Sequence, residues 1–170
     1  GALSTGVLVF GIAWVYGATG SLSFAGIAAA AVNPATNAVA LMLGAALLLA
    51  GLGFKVGAAP FQIWIPDVYQ GARTPVTAFL SVGSKAAGFV VLTRAVQAFT
   101  VNGSHIGTQV ANALLAAAAL TILLGSLPAI FQTNVKRLMA YSSISHAGFM
   151  VLALACGATG TVAFYMGTYL

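Results

Sequence analysis

Two lysines lie inside long apolar stretches of the sequence, Lys55 in LLLAGLGFKVGAAPF and Lys85 in AFLSVGSKAAGFVVL. If these stretches cross a bilayer, both amines lie in hydrocarbon, where ionisable side chains are costly and usually mark ion or proton pathways. Burial favours the neutral form of an amine, and two nearby amines titrate as a coupled pair. Proton relay near neutral pH is therefore the chemistry that we predict for Lys55 and Lys85.

Hydroxyl side chains accompany Lys85 at helical spacing. Thr77, Ser81, Ser84 and Lys85 recur every three or four residues, so one helix face would carry them all. Lys85 would lie about 15 Å from the start of its helix, near the bilayer midplane. Such a face would suit a file of water molecules. The alternative is that Lys85 only bonds to hydroxyls and carbonyls of neighbouring helices.

A third polar patch surrounds His146 in the segment YSSISHAGF. His146 would lie about 15 Å into its helix, with Ser142 one turn earlier. An unperturbed histidine titrates near neutral pH, so we predict that His146 is an additional relay group. The alternative is a histidine that only bonds to a neighbouring hydroxyl.

The sequence contains no pattern typical of catalysis by the chain itself. It has no nucleophile triad, phosphate-binding loop, dinucleotide fingerprint or cluster of metal ligands. Its single cysteine excludes an intrachain disulfide. We therefore expect no metal and no cofactor in this chain.

The composition is that of a polytopic membrane protein. Of 170 residues, 61% are hydrophobic and 4% are charged, whereas soluble domains carry roughly a quarter charged residues. The net charge of +5 comes from basic residues scattered along apolar segments. This is not the basic run expected of a protein that binds nucleic acid. We expect a lipid bilayer as the environment and no nucleic-acid partner.

Apolar segments long enough to cross the bilayer recur along the whole chain. A crossing needs about 20 apolar residues, and we predict five crossings and the start of a sixth. Their ranges are 2–18, 38–70, 75–99, 107–131, 135–157 and the incomplete 160–170. The expected fold is an all-α polytopic membrane protein, and this chain would be one transmembrane segment of a longer protein.

The second segment, 38–70, is too long for one straight helix. It contains Pro60 and Pro66, which cannot donate backbone hydrogen bonds, and Pro60 disfavours a helical conformation for the preceding residue. We predict a discontinuous helix broken near Pro60, with Lys55 at the end of its first half. Broken membrane helices are typical of transport sites. The alternative is that Lys55 only neutralises the free carbonyls of the helix end.

The distribution of charge predicts the orientation in the membrane. The connections near 67–74 and 132–137 fall on one side and are charged, whereas those on the other side carry no Lys, Arg or acid. The charged residues of these two connections are Asp67, Arg73, Lys136 and Arg137. By the positive-inside rule, their side is cytoplasmic.

The residues around both lysines resemble a known family. The stretch 53–96, GFKVGAAPFQIWIPDVYQGARTPVTAFLSVGSKAAGFVVLTRAV, combines a lysine, PF, W, PDVY, G, TPV and a second lysine. Together with VYGATGS at 15–21 and NVKRLMAYSSISHAGFM at 134–150, it closely resembles subunit N of NADH-quinone oxidoreductase. That family comprises antiporter-like membrane subunits of respiratory complex I, and the resemblance covers essentially the whole chain.

The resemblance implies that this chain is a fragment of an antiporter-like helical bundle with two inverted repeats, each containing a broken helix. Lys55 matches the broken-helix lysine of the family, and Lys85 matches the lysine of the following helix. The acidic partner of the first lysine would lie outside this sequence. The implied function is proton translocation by a non-redox subunit of NADH:quinone oxidoreductase, a translocase with no catalytic chemistry in this chain alone.

The resemblance also implies the partners and the location. Quinone, NADH, FMN and iron-sulfur clusters would be bound by partner subunits, and the chain would contact other membrane-arm subunits of complex I. The implied location is the bacterial plasma membrane, with an organellar inner membrane or a thylakoid membrane as alternatives.

The sequence is also compatible with two other functions. A subunit of a multisubunit cation/proton antiporter would respond to an ion gradient rather than to NADH oxidation, although PDVYQG at 66–71 favours the complex I subunit. A structural membrane scaffold would keep coupled transport intact after Lys55→Met and Lys85→Met.

Overall fold

The structure is a computed structural model that describes residues 1–169, and these residues are helical with no β-strand. The helices are α1 (Ala2–Thr19), α2 (Phe24–Val32), α3 (Ala38–Val56), α4 (Trp64–Gly71), α5 (Thr74–Phe79), α6 (Lys85–Phe99), α7 (Gly107–Ile130), α8 (Val135–Ala155) and α9 (Thr159–Tyr169), with a π-helical turn at Leu80–Ser84. Within residues 1–169, five segments are long and apolar enough to cross a membrane: Ala2–Thr19, Ala38–Val56, Thr74–Phe99, Gly107–Ile130 and Val135–Ala155. The predicted all-α polytopic fold with one discontinuous helix is confirmed.

The chain forms two compact units, and the first comprises residues 1–52 and 90–113. Within it, α1 packs antiparallel to α3 at very short range. A Cβ at Gly11 would lie 2.6 Å from the backbone nitrogen of Leu48, and one at Gly44 would lie 2.8 Å from that of Val15. Small residues at such contacts are typical of membrane helices, where close backbone packing replaces the hydrophobic effect.

The second unit comprises residues 53–89 and 114–169, and α8 is its central helix. Asn134 caps α8, since its side-chain oxygen accepts a hydrogen bond from the Arg137 N–H at 3.3 Å. The α4 helix packs against α8 through a buried apolar cluster. That cluster contains Ile65, Tyr69, Ala140 and Ile144.

Within the second unit, α7 and α8 run antiparallel with glycines at their contact. A Cβ at Gly125 would lie 2.5 Å from the backbone nitrogen of Ser145. A Cβ at Gly148 would lie 3.0 Å from the backbone nitrogen of Ile122. The two backbones therefore approach each other too closely for larger residues at either position.

The predicted break near Pro60 is present, because α3 ends at Val56 and α4 begins at Trp64. Gly57 ends α3 with a φ of 78°, a conformation that side-chain-bearing residues rarely adopt. A Cβ at Gly57 would also collide with the side chain of Ile65. The indole Nε1 of Trp64 donates to the Phe54 carbonyl at 3.2 Å, which ties the second half of the broken helix to the first.

The helix predicted over 75–99 is present, but its first half contains a turn that is not α-helical. It consists of α5 and α6 joined by the π-helical turn Leu80–Ser84. A π-helical turn is wider than an α-helical one and often lies at a functional site. Here it directly precedes Lys85. At its start, the Ser81 hydroxyl donates to the Ala78 carbonyl at 2.8 Å, which gives this carbonyl a side-chain partner.

Candidate functional site

The amine of Lys85 is enclosed by the chain. Lys85 begins α6 directly after the π-helical turn, and only 3% of its surface is exposed. Its Nζ donates to the backbone carbonyl of Ser143 on α8 at 2.8 Å and also to the Ser143 hydroxyl. A buried ammonium needs such hydrogen-bond acceptors, because transfer from water to an apolar site is otherwise very costly.

Ser143 is held in place by the packing of α8. It is also 3% exposed, and it precedes Ile144, a member of the apolar cluster between α4 and α8. Its hydroxyl can accept from Lys85 and still donate elsewhere, because a hydroxyl has one donor and two acceptor positions. Ser143 therefore gives the amine a partner that can both accept and donate hydrogen bonds.

A cavity of about 340 Å³ reaches Ser143 from the rim of the second unit. Hydroxyl side chains from several helices line it: Thr74, Thr77, Ser81, Ser142, Ser143, Tyr69 and Tyr169. Lys136, in the first turn of α8, also contributes to the lining. A cavity of this volume has room for several water molecules, and most of its accessible surface is apolar between these hydroxyls. The side chain that binds the Lys85 amine thus forms part of a hydroxyl-lined wall.

His146 lies on α8 three residues after Ser143, so the two side chains lie on neighbouring parts of one helix face. Its Nδ1 is 2.6 Å from the Tyr165 hydroxyl of α9. The ring of Tyr169, one turn further along α9, lies 5.0 Å from the histidine ring. The structure therefore brings Lys85 and His146 to one short stretch of α8, through Ser143.

Lys55 is arranged differently from Lys85. It lies in the last turn of α3, as predicted, but its side chain is exposed. A Cβ at Gly88 of α6 would lie 2.9 Å from Val56 and 3.8 Å from the Cβ of Lys55. The α6 helix therefore packs against Val56, which is fully buried, and does not cover Lys55. The place of Lys55 at the end of the first half of the broken helix is as predicted, and its role in proton relay stays a prediction.

The helix break is braced by a buried hydrogen bond from another helix. The Ala59 N–H donates to Thr121 Oγ1 of α7 at 2.8 Å. Thr121 is fully buried, and its hydroxyl donates in turn to the Ala117 carbonyl. A broken membrane helix frees backbone groups that need partners within the protein. Thr121 supplies one of them.

The two charged connections meet in the structure. Nη1 of Arg137 lies 2.6 Å from the Asp67 carboxylate and donates to the Gln70 side-chain oxygen at 3.0 Å. Lys136 donates to the Ala72 carbonyl at 3.1 Å, where α4 ends. This arrangement agrees with the expectation that both connections fall on one side of the membrane.

Three groups at the site were not recognised from the sequence. Ser143 was missed, although a serine three residues before His146 shares its helix face. Tyr165 was missed because its helix was predicted as incomplete, although YMGTY places two tyrosines one turn apart. Thr121 lies in an apolar segment with no local signal. Two further titratable residues lie elsewhere: Arg94 is exposed, and His105 lies in a loop with its Nε2 3.1 Å from the Val32 carbonyl.

The full chain, residues 1–170, matches the family model described as NADH:quinone oxidoreductase/Mrp antiporter, transmembrane. The chain is 46% identical over 176 aligned residues to NADH-quinone oxidoreductase subunit N of Neisseria gonorrhoeae. That alignment covers 99% of this chain and 35% of the relative. The chain therefore spans about a third of the length of the curated relatives it matches.

Two solved complexes contain chains of similar fold. Respiratory complex I from Thermus thermophilus with bound aureothin contains a chain 40% identical to this one, with a TM-score of 0.80 over 99% of this chain and 35% of that chain. A chain of the Mrp complex from Dietzia sp. is 22% identical, with a TM-score of 0.82 over 99% of this chain and 31% of that chain, which is a likeness of fold alone. Since the family model covers every residue, the chain belongs to the NADH:quinone oxidoreductase/Mrp antiporter transmembrane family.

Proposed function

We propose that the protein is a proton-translocating membrane-arm subunit of NADH-quinone oxidoreductase and that Lys85 is a relay group. The observation that carries this proposal is the enclosed Lys85 amine, bonded to Ser143 in the wall of a hydroxyl-lined cavity. The Lys85 proton would reach cavity water through the Ser143 hydroxyl, which takes up the lysine proton as it releases its own. The identity of 46% to a relative named subunit N supports this particular complex.

In this proposal, proton movement follows charge changes elsewhere in the complex. Quinone reduction would occur in partner subunits, which would bind NADH, FMN, iron-sulfur clusters and quinone, while this chain would carry no redox group. The other membrane-arm subunits would be its neighbours, and the bacterial relatives favour a bacterial plasma membrane. Cavity water would link the cytoplasmic rim near Lys136 with Ser143 and Lys85.

Lys55 and His146 have different places in this proposal. His146 shares a helix face with Ser143, which supports a role in passing the proton onward. Lys55 lies at the helix break with an exposed side chain, so it would exchange protons with groups that lie outside residues 1–169. Its acidic partner would be supplied by residues outside this sequence.

The test compares proteoliposomes that contain the assembled oxidoreductase with full-length subunit carrying Lys85→Met or Lys85→Gln. The glutamine variant keeps hydrogen-bond donors for Ser143 but cannot carry a proton charge. We expect both variants to lose NADH-driven proton pumping while the complex remains assembled. Arg94→Met is the matched control, because it removes an exposed cation from the same helix. Unchanged pumping in Lys85→Gln would contradict the proposal and leave a structural role for Lys85.

The second candidate, a cation/proton antiporter subunit, is favoured by the family description, which includes Mrp antiporters. The two functions differ in their driving force. An antiporter subunit would support proton movement when a sodium gradient is imposed without NADH. Pumping that requires NADH and quinone, and that is unaffected by such a gradient, would favour the oxidoreductase.

A further inference from the structure

His146 is held by two tyrosines of a single helix. Its Nδ1 lies 2.6 Å from the hydroxyl of Tyr165, at the distance of a strong hydrogen bond. The ring of Tyr169 packs against the same ring in a tilted arrangement, with ring centres 5.0 Å apart and planes inclined by 46°. Tyr165 therefore engages a nitrogen of His146, whereas Tyr169 packs against the ring.

We propose that Tyr165 is a positioning residue for proton transfer at His146, and this inference rests on the proposed function. A neutral imidazole has one N–H donor and one acceptor nitrogen, whereas an imidazolium has two donors. With Nδ1 engaged by Tyr165, proton exchange with water or a hydroxyl falls to Nε2. The hydroxyl thus fixes which ring nitrogen takes part.

The Tyr165 hydroxyl suits both protonation states of the ring. It can donate to Nδ1 when His146 is neutral and accept from Nδ1–H when His146 is protonated, because a phenol is both donor and acceptor. A phenylalanine at this position would remove that partner and keep the ring volume. His146 would then be free to exchange protons at either nitrogen and to rotate about its side-chain bonds.

The neighbours of His146 on the adjacent helices show which groups could influence its protonation besides Tyr165. From α9 these groups are Tyr165 and Tyr169. From α6, Lys85 reaches α8 one turn earlier at Ser143. From α7, the neutral Ser126 bonds to Ser145 at 3.0 Å. Tyr165 supplies the hydrogen bond to Nδ1, so its removal acts first on His146.

The experiment measures NADH-driven proton pumping against pH in proteoliposomes with the assembled oxidoreductase. The variants of the full-length subunit are Tyr165→Phe, His146→Gln, the double variant, and Tyr16→Phe as a control for loss of a tyrosine hydroxyl in the first unit. We expect Tyr165→Phe to lower pumping about five- to tenfold, the usual cost of one lost hydrogen bond, and to move the pH profile. We expect no further loss when it is added to His146→Gln.

Two results would overturn the inference. One is a Tyr165→Phe pH profile and rate equal to those of Tyr16→Phe. The other is a Tyr165→Phe loss that is as large in the His146→Gln background as in the wild type, since the hydroxyl would then act elsewhere.

A second substitution protects the test against failure of assembly. Fluorinated tyrosine at position 165 keeps the ring and the hydroxyl but makes the hydroxyl a stronger donor. A moved pH profile supports the role of Tyr165, and an unmoved profile contradicts it.

Lys85→Gln separates the two proposals: if it still pumps, the proposed function fails. If it does not pump while both Tyr165 variants pump like the wild type, only the role of Tyr165 fails.

Discussion

The carboxylate of Asp67 on α4 lies 2.6 Å from the guanidinium of Arg137 on α8, 70 residues later in the chain. Asp67 is the single acidic residue of the sequence, so every side-chain salt bridge within the chain must use it. The pair joins the short second half of the broken helix to the start of α8. It lies at the exposed rim, with 68% of the Asp67 side chain accessible.

We expect Asp67→Asn to lower the melting temperature of the complex by no more than a few degrees, because exposed ion pairs contribute little and are screened by salt. The loss should shrink as salt is added. Gln70→Glu offers a matched rescue, since the Gln70 side-chain oxygen accepts from the same Arg137 nitrogen at 3.0 Å. Thermal denaturation at low and high salt measures both effects. A loss independent of salt would contradict this account.

Thr121→Val should destabilise the helix break. Valine has nearly the shape of threonine but cannot accept from the Ala59 N–H, which bonds to Thr121 at 2.8 Å. A buried donor left without a partner costs roughly 1–3 kcal/mol. Hydrogen exchange at Ala59 and thermal denaturation should both report the change, and Thr121→Ser should preserve the wild-type behaviour. Equal exchange rates in the valine and serine variants would refute the role of Thr121.

Ser143→Ala should slow proton pumping without abolishing it. The Lys85 amine loses its hydroxyl partner but keeps the Ser143 carbonyl at 2.8 Å. The loss of one hydrogen bond to an ionised group corresponds to roughly 1.5–3 kcal/mol, which is at least about tenfold in rate if the bond forms in the slow step. Ser84→Ala, next to Lys85 in the chain, serves as the comparison and should have the smaller effect. A larger effect of Ser84→Ala would show that the relay follows another path.

Gly125→Ala should strongly destabilise the packing of α7 on α8. The added Cβ would lie 2.5 Å from the backbone nitrogen and 2.9 Å from the Cα of Ser145, and backbone cannot move aside as a side chain can. Overpacking of this kind costs roughly 1–3 kcal/mol. Gly160→Ala is the matched control, since nothing lies within 4 Å of a Cβ there. Thermal denaturation should separate the two variants, and equal stability would show that the helices can part without cost.

The sequence predicted those features that depend on local pattern. The helix break follows from Pro60 and from the length of segment 38–70. The position of Lys85 in a buried helix follows from its apolar surroundings, and the structure encloses its amine. The contact between the two charged connections follows because successive crossings alternate between the two sides of the membrane. The roles of Lys85, Lys55 and His146 in proton transfer stay predictions.

The features that sequence reasoning missed depend on which helix faces meet. Ser143, Thr121 and Tyr165 act as partners of groups 58, 62 and 19 residues away, and no local pattern identifies such pairs. Lys55 lies in an apolar stretch like Lys85, yet its side chain is exposed in the structure. Hydropathy reports the environment of a segment, however, and does not say which side of a helix another helix covers.

The direction in which Lys85 points depends on the π-helical form of the turn Leu80–Ser84. Such a turn accommodates one more residue than an α-helical path over the same distance. If the same residues closed as a regular α-helix with none removed, Lys85 would rotate by about 100° relative to Thr77. The amine would then leave Ser143, although every chemically important side chain would still be present. Deletion of one residue from the turn would instead leave a regular α-helix with Lys85 on nearly the same side, because the extra residue and the wider turn compensate each other.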